Sequence, residues 1–340
     1  MKKKAVKIND VAKHAGVSVS TVSLVLGNKG RISEATIKKV SQAVDELGYV
    51  RNEAAANLRT QNSNLIGLIL RDITDPFYAE ITSGISHVLE KHGYMLFLAQ
   101  YGDDSEKLTK CVRSMIQQGV AGIAFNPFRG GTSQVIELAN NASIPAICLS
   151  RATVNDSIDN VCPDNSLAAK MATQHLIEQG HRHIAYVGGT GDSLTRAERI
   201  GGYCTTLMQY GLMFKNEWVV ECDPSQQDAA DVVENLLHHH PQITALLCHR
   251  SKTAIGAVYA ANRANRRVGK DQYIDKQISI IGFDDVPEAQ LCTPPLTFTS
   301  SPAYEIGKQA GQRLVSQLKH QQTGIQKIII PPTLIRRESA

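Results

Sequence analysis

The chain has 340 residues, of which 42% are hydrophobic and 20% are charged. That composition is typical of a soluble protein with two or three domains. No apolar run in the sequence approaches the roughly 20 residues of a membrane span, and polar residues follow Lys2–Lys4 where a signal peptide would have its apolar segment. Seven cysteines without paired spacing indicate reduced thiols. We therefore expect a cytoplasmic protein with no membrane partner.

Positive charge is concentrated at the N-terminal end of the chain. Residues 1–60 contain 11 Lys and Arg against 5 Asp and Glu, a net charge of +6, whereas the other residues carry a net charge of −2. A basic segment of this kind is what binding to the phosphates of nucleic acid requires.

The segment KINDVAKHAGVSVSTVSLVLGN, residues 7–28, contains two short helical patterns on either side of Gly16. In the first pattern, four apolar residues recur at helical spacing: Ile8, Val11, Ala12 and Ala15. Gly16 permits a sharp turn, and Ser18 can cap a second helix whose inner face holds Val22, Val25 and Leu26. The pattern predicts a helix-turn-helix, which lays its second helix in the major groove of DNA. An ordinary solvated helical hairpin is the alternative.

A third helix and an Ala-rich stretch follow. We expect the helix to run from its cap Ser33 to Leu47, with Gly48 ending it. Its expected inner stripe is Ile37, Val40, Val44 and Leu47. Residues 51–64 then read RNEAAANLRTQNSN. This stretch is either a plain linker or a short hinge helix that orders on DNA, with Leu58 as a wedge for the minor groove and Arg59 beside it.

From Leu65 onward, short apolar runs alternate with helical patterns. The first set of predicted strands covers residues 65–70, 95–100, 121–125, 145–149 and 160–162, and the second covers 183–189, 217–222, 244–249 and 278–283. Repeated strand–helix units predict two doubly wound parallel sheets, which commonly hold a small ligand between the carboxyl ends of their strands. A last helix (303–319) and the run at 328–332 come after both sets, so we expect the chain to cross between the lobes more than once.

The sequence resembles bacterial repressors of the LacI/GalR family along almost its whole length. The matching motifs are DVAKHAGVSVSTVSLVL, GYVRNEAAANLR, LIGLILRDITDPFYAEITSGI, GHRHIAYVGG, TRAERIGGY and ISIIGFDD. The resemblance implies an all-α helix-turn-helix domain at 1–50, a hinge helix and linker at 51–63, and a two-lobed α/β core like periplasmic binding proteins at 64–340. The implied N-lobe covers about 64–162 and 296–322, and the implied C-lobe about 163–292 and 325–340.

The resemblance also implies a homodimeric repressor that binds a palindromic operator and responds to a small sugar effector in a maltose- or glucose-related operon. One recognition helix reads few base pairs, which independently favours a dimer on two half-sites. No catalytic, metal or cofactor motif is legible in the sequence. A sugar-binding transport receptor and an enzyme on the same core are the alternative functions.

Carried over by position, Val19, Ser20 and Leu24 match residues that read bases in the family. Ser18, Thr21 and Ser23 match residues that contact phosphates, and the candidate DNA-binding set also includes Asn28, Leu58 and Arg59. Small hydroxyls suit phosphate oxygens and Val19 suits a thymine methyl. Most relatives carry Arg at the position of Leu24, so a guanine contact available to them is missing and their operator sequences do not transfer.

The effector set also comes from the resemblance. Phe77 and Tyr78 match a position that stacks on the effector, and the matching polar residues are Ser193, Thr195, Arg199 and Asp284. Each has a structural alternative: the two aromatics as core, Asp284 as a cap and Arg199 as a surface cation. Relatives usually carry Asn-Asp where this chain has Arg250-Ser251. We therefore expect Arg250 either to bind an anionic effector, such as a sugar phosphate, or to pair internally with an acid such as Asp284.

Overall fold

Three helices form the N-terminal head: α1 (Ile8–Ala15), α2 (Val19–Leu26) and α3 (Glu34–Leu47). Gly16 ends α1 with φ of 66°, a left-handed conformation that glycine adopts without strain. The Ser18 hydroxyl accepts a hydrogen bond from the Thr21 amide at 3.1 Å, and Ser33 caps α3 in the same way. The predicted helix-turn-helix and both caps are thereby confirmed.

The head has its own small core. Its fully buried residues are Val11, Ala12, Val22, Val40 and Ala43. Placing Ile37 in the inner stripe was wrong, because its side chain is 41% exposed. The buried residues of α3 are Val40 and Ala43, so its inner stripe passes through Ala43 and not through Ile37.

The computed structural model describes residues 6–27, 30–50, 63–102, 104–127, 131–149, 157–271, 276–321 and 324–340. It divides into two compact units, residues 1–63 and 64–340. The proposed hinge at 51–62, with Leu58 and Arg59, and the candidate Asn28 lie outside the described residues. Among the helices of the described residues, none has the length and apolar character needed to cross a membrane.

In the second unit strands and helices alternate as predicted. The strands are β1 (Leu65–Leu70), β2 (Met95–Gln100), β3 (Gly122–Phe125), β4 (Ala146–Leu149), β5 (Asp159–Pro163), β6 (Ile184–Val187), β7 (Val219–Val220), β8 (Ala245–Cys248), β9 (Arg267–Val268), β10 (Gln277–Phe283), β11 (Thr297–Ser300), β12 (Lys327–Ile330) and β13 (Thr333–Ile335). The helices are α4 (Pro76–Lys91), α5 (Ser105–Gln117), α6 (Thr132–Asn141), α7 (Asn165–Glu178), α8 (Leu194–Gln209), α9 (Gln226–His239), α10 (Ser251–Arg263) and α11 (Ala303–Leu318).

The strands form two sheets, and we call each sheet with its helices a lobe. In the first lobe the strand order is β12-β5-β4-β3-β1-β2, with every pairing parallel. In the second lobe the order is β13-β11-β10-β8-β6-β7, with β9 beside β10. Only the β11–β13 pairing is antiparallel among the named strands. Two doubly wound sheets, as predicted, therefore carry one antiparallel edge strand.

The chain crosses between the lobes three times, after β5, after β11 and after β12. Two expected lobe boundaries are corrected here. Strand β11, expected in the N-lobe, pairs with β10 and buries Phe298 in the second lobe. Strand β12, expected in the C-lobe, pairs with β5 and buries Ile330 in the first. The sheet that β11 or β12 joins depends on the strand with which it pairs. A short apolar run in the sequence does not indicate which strand that is.

Candidate DNA-binding helix and effector cleft

Helix α2 presents a face of small and aliphatic side chains to solvent. Val19 and Leu24 are 41% and 40% exposed, and Ser18, Ser20 and Ser23 are also exposed. Thr21, half-buried, shares a hydroxyl contact with Ser18 at 2.8 Å. The outward face has the composition predicted for it, and Ser18 also has the structural task of capping the helix.

The head also carries exposed cations. Lys7, Lys13, Arg31, Lys38 and Lys39 are all exposed. A bond of 2.7 Å between His14 Nε2 and Glu46 Oε2 links α1 to α3. Hydrogen bonds from His14 and Gln42 lower the pKa of the Glu46 carboxyl. The head is thus a small, basic, capped bundle whose positive side chains can reach phosphates.

A second site lies between the two lobes, where the carboxyl ends of parallel strands meet. Eight residues line it: Phe77, Tyr78, Pro163, Asn165, Thr195, Arg199, Arg250 and Asp284. The space that remains is about 20 Å³, roughly enough for one water molecule. A sugar therefore enters only if the lobes separate or these side chains move.

Six of the seven predicted effector residues line this cleft, and Ser193 does not. Ser193 instead caps α8, its hydroxyl accepting a hydrogen bond from the Arg196 amide at 3.3 Å. Thr195 lies in the first turn of the same helix and reaches the cleft. The sequence pattern SLT did not distinguish the capping residue from the lining residue.

Arg199 connects the residues that the second lobe contributes to the cleft. Its side chain is 3% exposed. The guanidinium donates to Asn165 Oδ1 at 3.0 Å and to both carboxylate oxygens of Asp284 at 3.3 Å. It also donates to the His249 carbonyl and lies 4.4 Å from the centre of the Phe283 ring. The surface-cation alternative for Arg199 is therefore wrong, and the residue fixes the ends of α7, β8 and β10 together.

Arg250 joins the two lobes. Its Nη1 lies 3.0 Å from Oδ2 of Asp75, in the first lobe, and the two side chains are 28% and 20% exposed. The expected internal pairing is present, but with Asp75 and not with Asp284. Burial raises the pKa of the Asp75 carboxyl, while Arg250 lowers it. Asp75 also caps α4, accepting from the Phe77 amide at 3.1 Å.

Tyr78 belongs both to the core and to the cleft. It is 3% exposed, and its hydroxyl donates to Oδ1 of the buried Asn126 at 3.2 Å. Tyr101 donates to the same oxygen at 3.1 Å, and the Asn126 amide donates to the Leu149 carbonyl at 3.2 Å. Phe77 is half-buried and packs against the Tyr78 ring edge to face, with the ring centres 5.7 Å apart. Of the two aromatics, Phe77 is the more available to a ligand.

Sequence reasoning missed Asp75, Asn126 and Asn165. The sequence did contain a signal for Asp75, because an Asp before a Pro that opens a helix is a typical helix cap. Asp75 also follows a buried strand. Asn126 and Asn165 also follow strands β3 and β5 at their carboxyl ends. Within the described residues, no group of three or more His, Cys, Asp and Glu is arranged to hold a metal ion.

Comparison with known proteins identifies both parts of the chain. A profile described as "Bacterial regulatory proteins, lacI family" matches residues 7–52. A profile described as "Periplasmic binding proteins and sugar binding domain of LacI family" matches residues 63–338. The chain belongs to the LacI family of bacterial regulatory proteins. The relatives that it matches are named as transcription regulators.

Relatives in this family align over nearly the full length. The "Maltose regulon regulatory protein MalI" of Escherichia coli K12 is 44% identical over 335 residues, covering 98% of each chain. The "Ribose operon repressor" of Halalkalibacterium halodurans is 31% identical, covering 98% of this chain and 96% of the relative. Among solved structures, the lac repressor dimer bound to operator and the anti-inducer ONPF superposes with a TM-score of 0.87 at 25% identity, covering 99% of both chains. The resemblance and the fold class predicted from the motifs are confirmed.

Proposed function

We propose that this protein is a sequence-specific transcriptional repressor that binds a palindromic operator as a homodimer. It controls a maltose-type regulon, and a small sugar is the effector that regulates it. The observation that carries the proposal is a basic head whose second helix turns Val19, Ser20, Ser23 and Leu24 outward. The MalI relative, aligned from end to end, supports the choice of regulon. A regulator that binds the chromosome acts in the cytoplasm.

A homodimer follows from how such heads read DNA. One recognition helix contacts few base pairs, and two half-sites related by a two-fold axis supply the remaining specificity. The lac repressor structure that superposes on this chain is described as a dimer on operator. Sedimentation of the full-length protein should give a dimer, and a monomer at micromolar concentration would contradict this part of the proposal.

The effector proposed here is a neutral sugar and not a sugar phosphate. Both arginines of the cleft already face acids, Arg199 with Asp284 and Arg250 with Asp75. An anion would have to displace a carboxylate from a guanidinium and then lie beside it, which like-charge repulsion opposes. Neutral hydroxyls can donate to the carboxylates and accept from the guanidinium groups without adding charge. The Phe77 ring offers the apolar contact that the face of a sugar ring needs.

An Asp75→Asn substitution separates a neutral from an anionic effector. Thermal shift and calorimetry would compare glucose, maltose and glucose 6-phosphate as ligands of the full-length protein. We expect a neutral sugar to stabilise the wild-type protein and the phosphate to leave it unchanged. In Asp75→Asn the Arg250 charge is no longer compensated, and measurable phosphate affinity should appear. Tight binding of the phosphate by the wild-type protein would overturn the neutral assignment.

DNA binding is tested by fluorescence anisotropy with palindromic fragments from the protein's own promoter region. We expect specific retention that weakens as salt rises, because phosphate contacts release counterions. A sugar-binding transport receptor or an enzyme would form no such complex with DNA. No relative reported above is named as either of these. Retention of scrambled and promoter fragments with equal affinity would reject sequence-specific repression.

A further inference from the structure

The outward face of α2 lacks the side chains that usually read three of the four bases. Guanine is read by Arg or Lys, adenine by Asn or Gln, and cytosine by Asp or Glu. Residues 19–26 read VSTVSLVL and include none of these six types. The exposed groups that remain are serine hydroxyls, which discriminate poorly, and the aliphatic side chains of Val19 and Leu24.

These two side chains are placed to contact separate base pairs. They are five residues apart, about 7.5 Å along the helix axis and about 140° around it, so a helix lying in the groove would direct them to different base pairs. The Leu24 side chain also lies beside the backbone of Gly30, where a Cβ on that glycine would be 3.8 Å from Leu24 Cδ2. That neighbour favours a fixed direction for an otherwise exposed leucine.

Aliphatic carbon has one specific partner in the major groove, the C5-methyl group of thymine. We propose that Val19 and Leu24 read thymine methyl groups, so that each operator half-site places a thymine at each of two positions. The inference rests on the proposed DNA-binding function and adds the base chemistry that the head recognises. It also means that α2 makes no guanine contact through Arg or Lys.

Thymine and uracil differ only in this methyl group, so replacing dT by dU measures the contact alone. Burial of one methyl is worth about a fourfold change in affinity. Each replaced position occurs once in each half-site, so changing both copies should weaken binding by about sixteenfold. Watson–Crick pairing is unchanged by the substitution.

The experiment begins with a promoter fragment that the full-length protein retains, and each thymine of the half-site is then replaced in turn. We expect two sensitive positions. In Leu24→Ala one of them should become insensitive to the methyl, and in Val19→Ala the other. Ile37→Ala is the matched control, because Ile37 is an aliphatic residue of equal exposure, 41%, on α3. It should leave both sensitivities intact.

The possible failures are distinguishable. If no promoter fragment is retained even at low ionic strength, the DNA-binding function itself is wrong. If a fragment is retained specifically but every dT-to-dU change alters affinity by less than about twofold, methyl readout is wrong and the proposed function stands. Retained methyl sensitivity at both positions in Leu24→Ala and Val19→Ala would overturn the assignment to these residues.

Discussion

Replacing Arg199 tests whether the cleft is built around a buried cation. In Arg199→Met the side chain keeps most of its apolar volume but loses its bonds to Asn165, Asp284 and the His249 carbonyl. Asp284, only 18% exposed, would be left without this cation. Removing one partner of a buried ion pair typically costs about 3–5 kcal/mol. We expect the free energy of unfolding of the second lobe to fall by about that amount, and sugar affinity to be lost.

The measurement is urea unfolding followed by tryptophan fluorescence. The sequence has one tryptophan, and Trp218 is buried in the second lobe's core, so its signal reports on that lobe. Arg263→Met is the matched control, because Arg263 also pairs with carboxylates, those of Asp231 and Glu234, but its side chain is 45% exposed. An exposed pair of this kind contributes at most about 1 kcal/mol. If the two variants lose the same stability, the role assigned to Arg199 is refuted.

Three further changes have expected outcomes. Burial lowers the pKa of His181 to about 4, against about 6.5 in the unfolded chain. The free energy of unfolding should therefore fall by at most ~3 kcal/mol as the pH drops from about 6.5 towards 4. A His181→Gln variant should lack this dependence. Gly202→Ala should destabilise the second lobe in thermal unfolding, because the new Cβ would lie 2.3 Å from the Ser166 carbonyl oxygen. The control is Gly201→Ala, whose new Cβ meets nothing within 4 Å. Its free energy of unfolding should be unchanged or rise by up to about 1 kcal/mol. Phe77→Ala should weaken sugar binding in calorimetry with little loss of stability, whereas Tyr78→Ala should cost about 3–5 kcal/mol of stability; equal stability losses would contradict the roles assigned to the two rings.

Local signals in the sequence predicted local structure well. Ser18 and Ser33 were recognisable caps because each precedes a helical pattern, and Gly16 and Gly48 marked the ends of helices. Apolar runs located the longer strands, since strands buried on both faces read as continuous hydrophobic segments. The helix at Thr132–Asn141 was missed, and so were the short strands Arg267–Val268 and Thr333–Ile335.

Long-range pairing was not predictable from one sequence. Arg199 and Asp284 were named separately, but nothing in their spacing showed that they bond to each other. The partner of Arg250 lies 175 positions away at Asp75, in the other lobe. Strands β11 and β12 were assigned to the wrong lobes for the same reason. Such contacts depend on how the sheets close, and only a family resemblance brought the cleft residues together in advance.

The most direct test measures binding of the full-length wild-type protein to a palindromic fragment of its own promoter at low ionic strength, beside a scrambled duplex of equal length. We expect specific retention of the promoter fragment and a change in its affinity when a neutral sugar is added. Folded protein that fails to prefer the promoter fragment, both without sugar and with it, would contradict the claim that residues Val19 to Leu24 read duplex DNA.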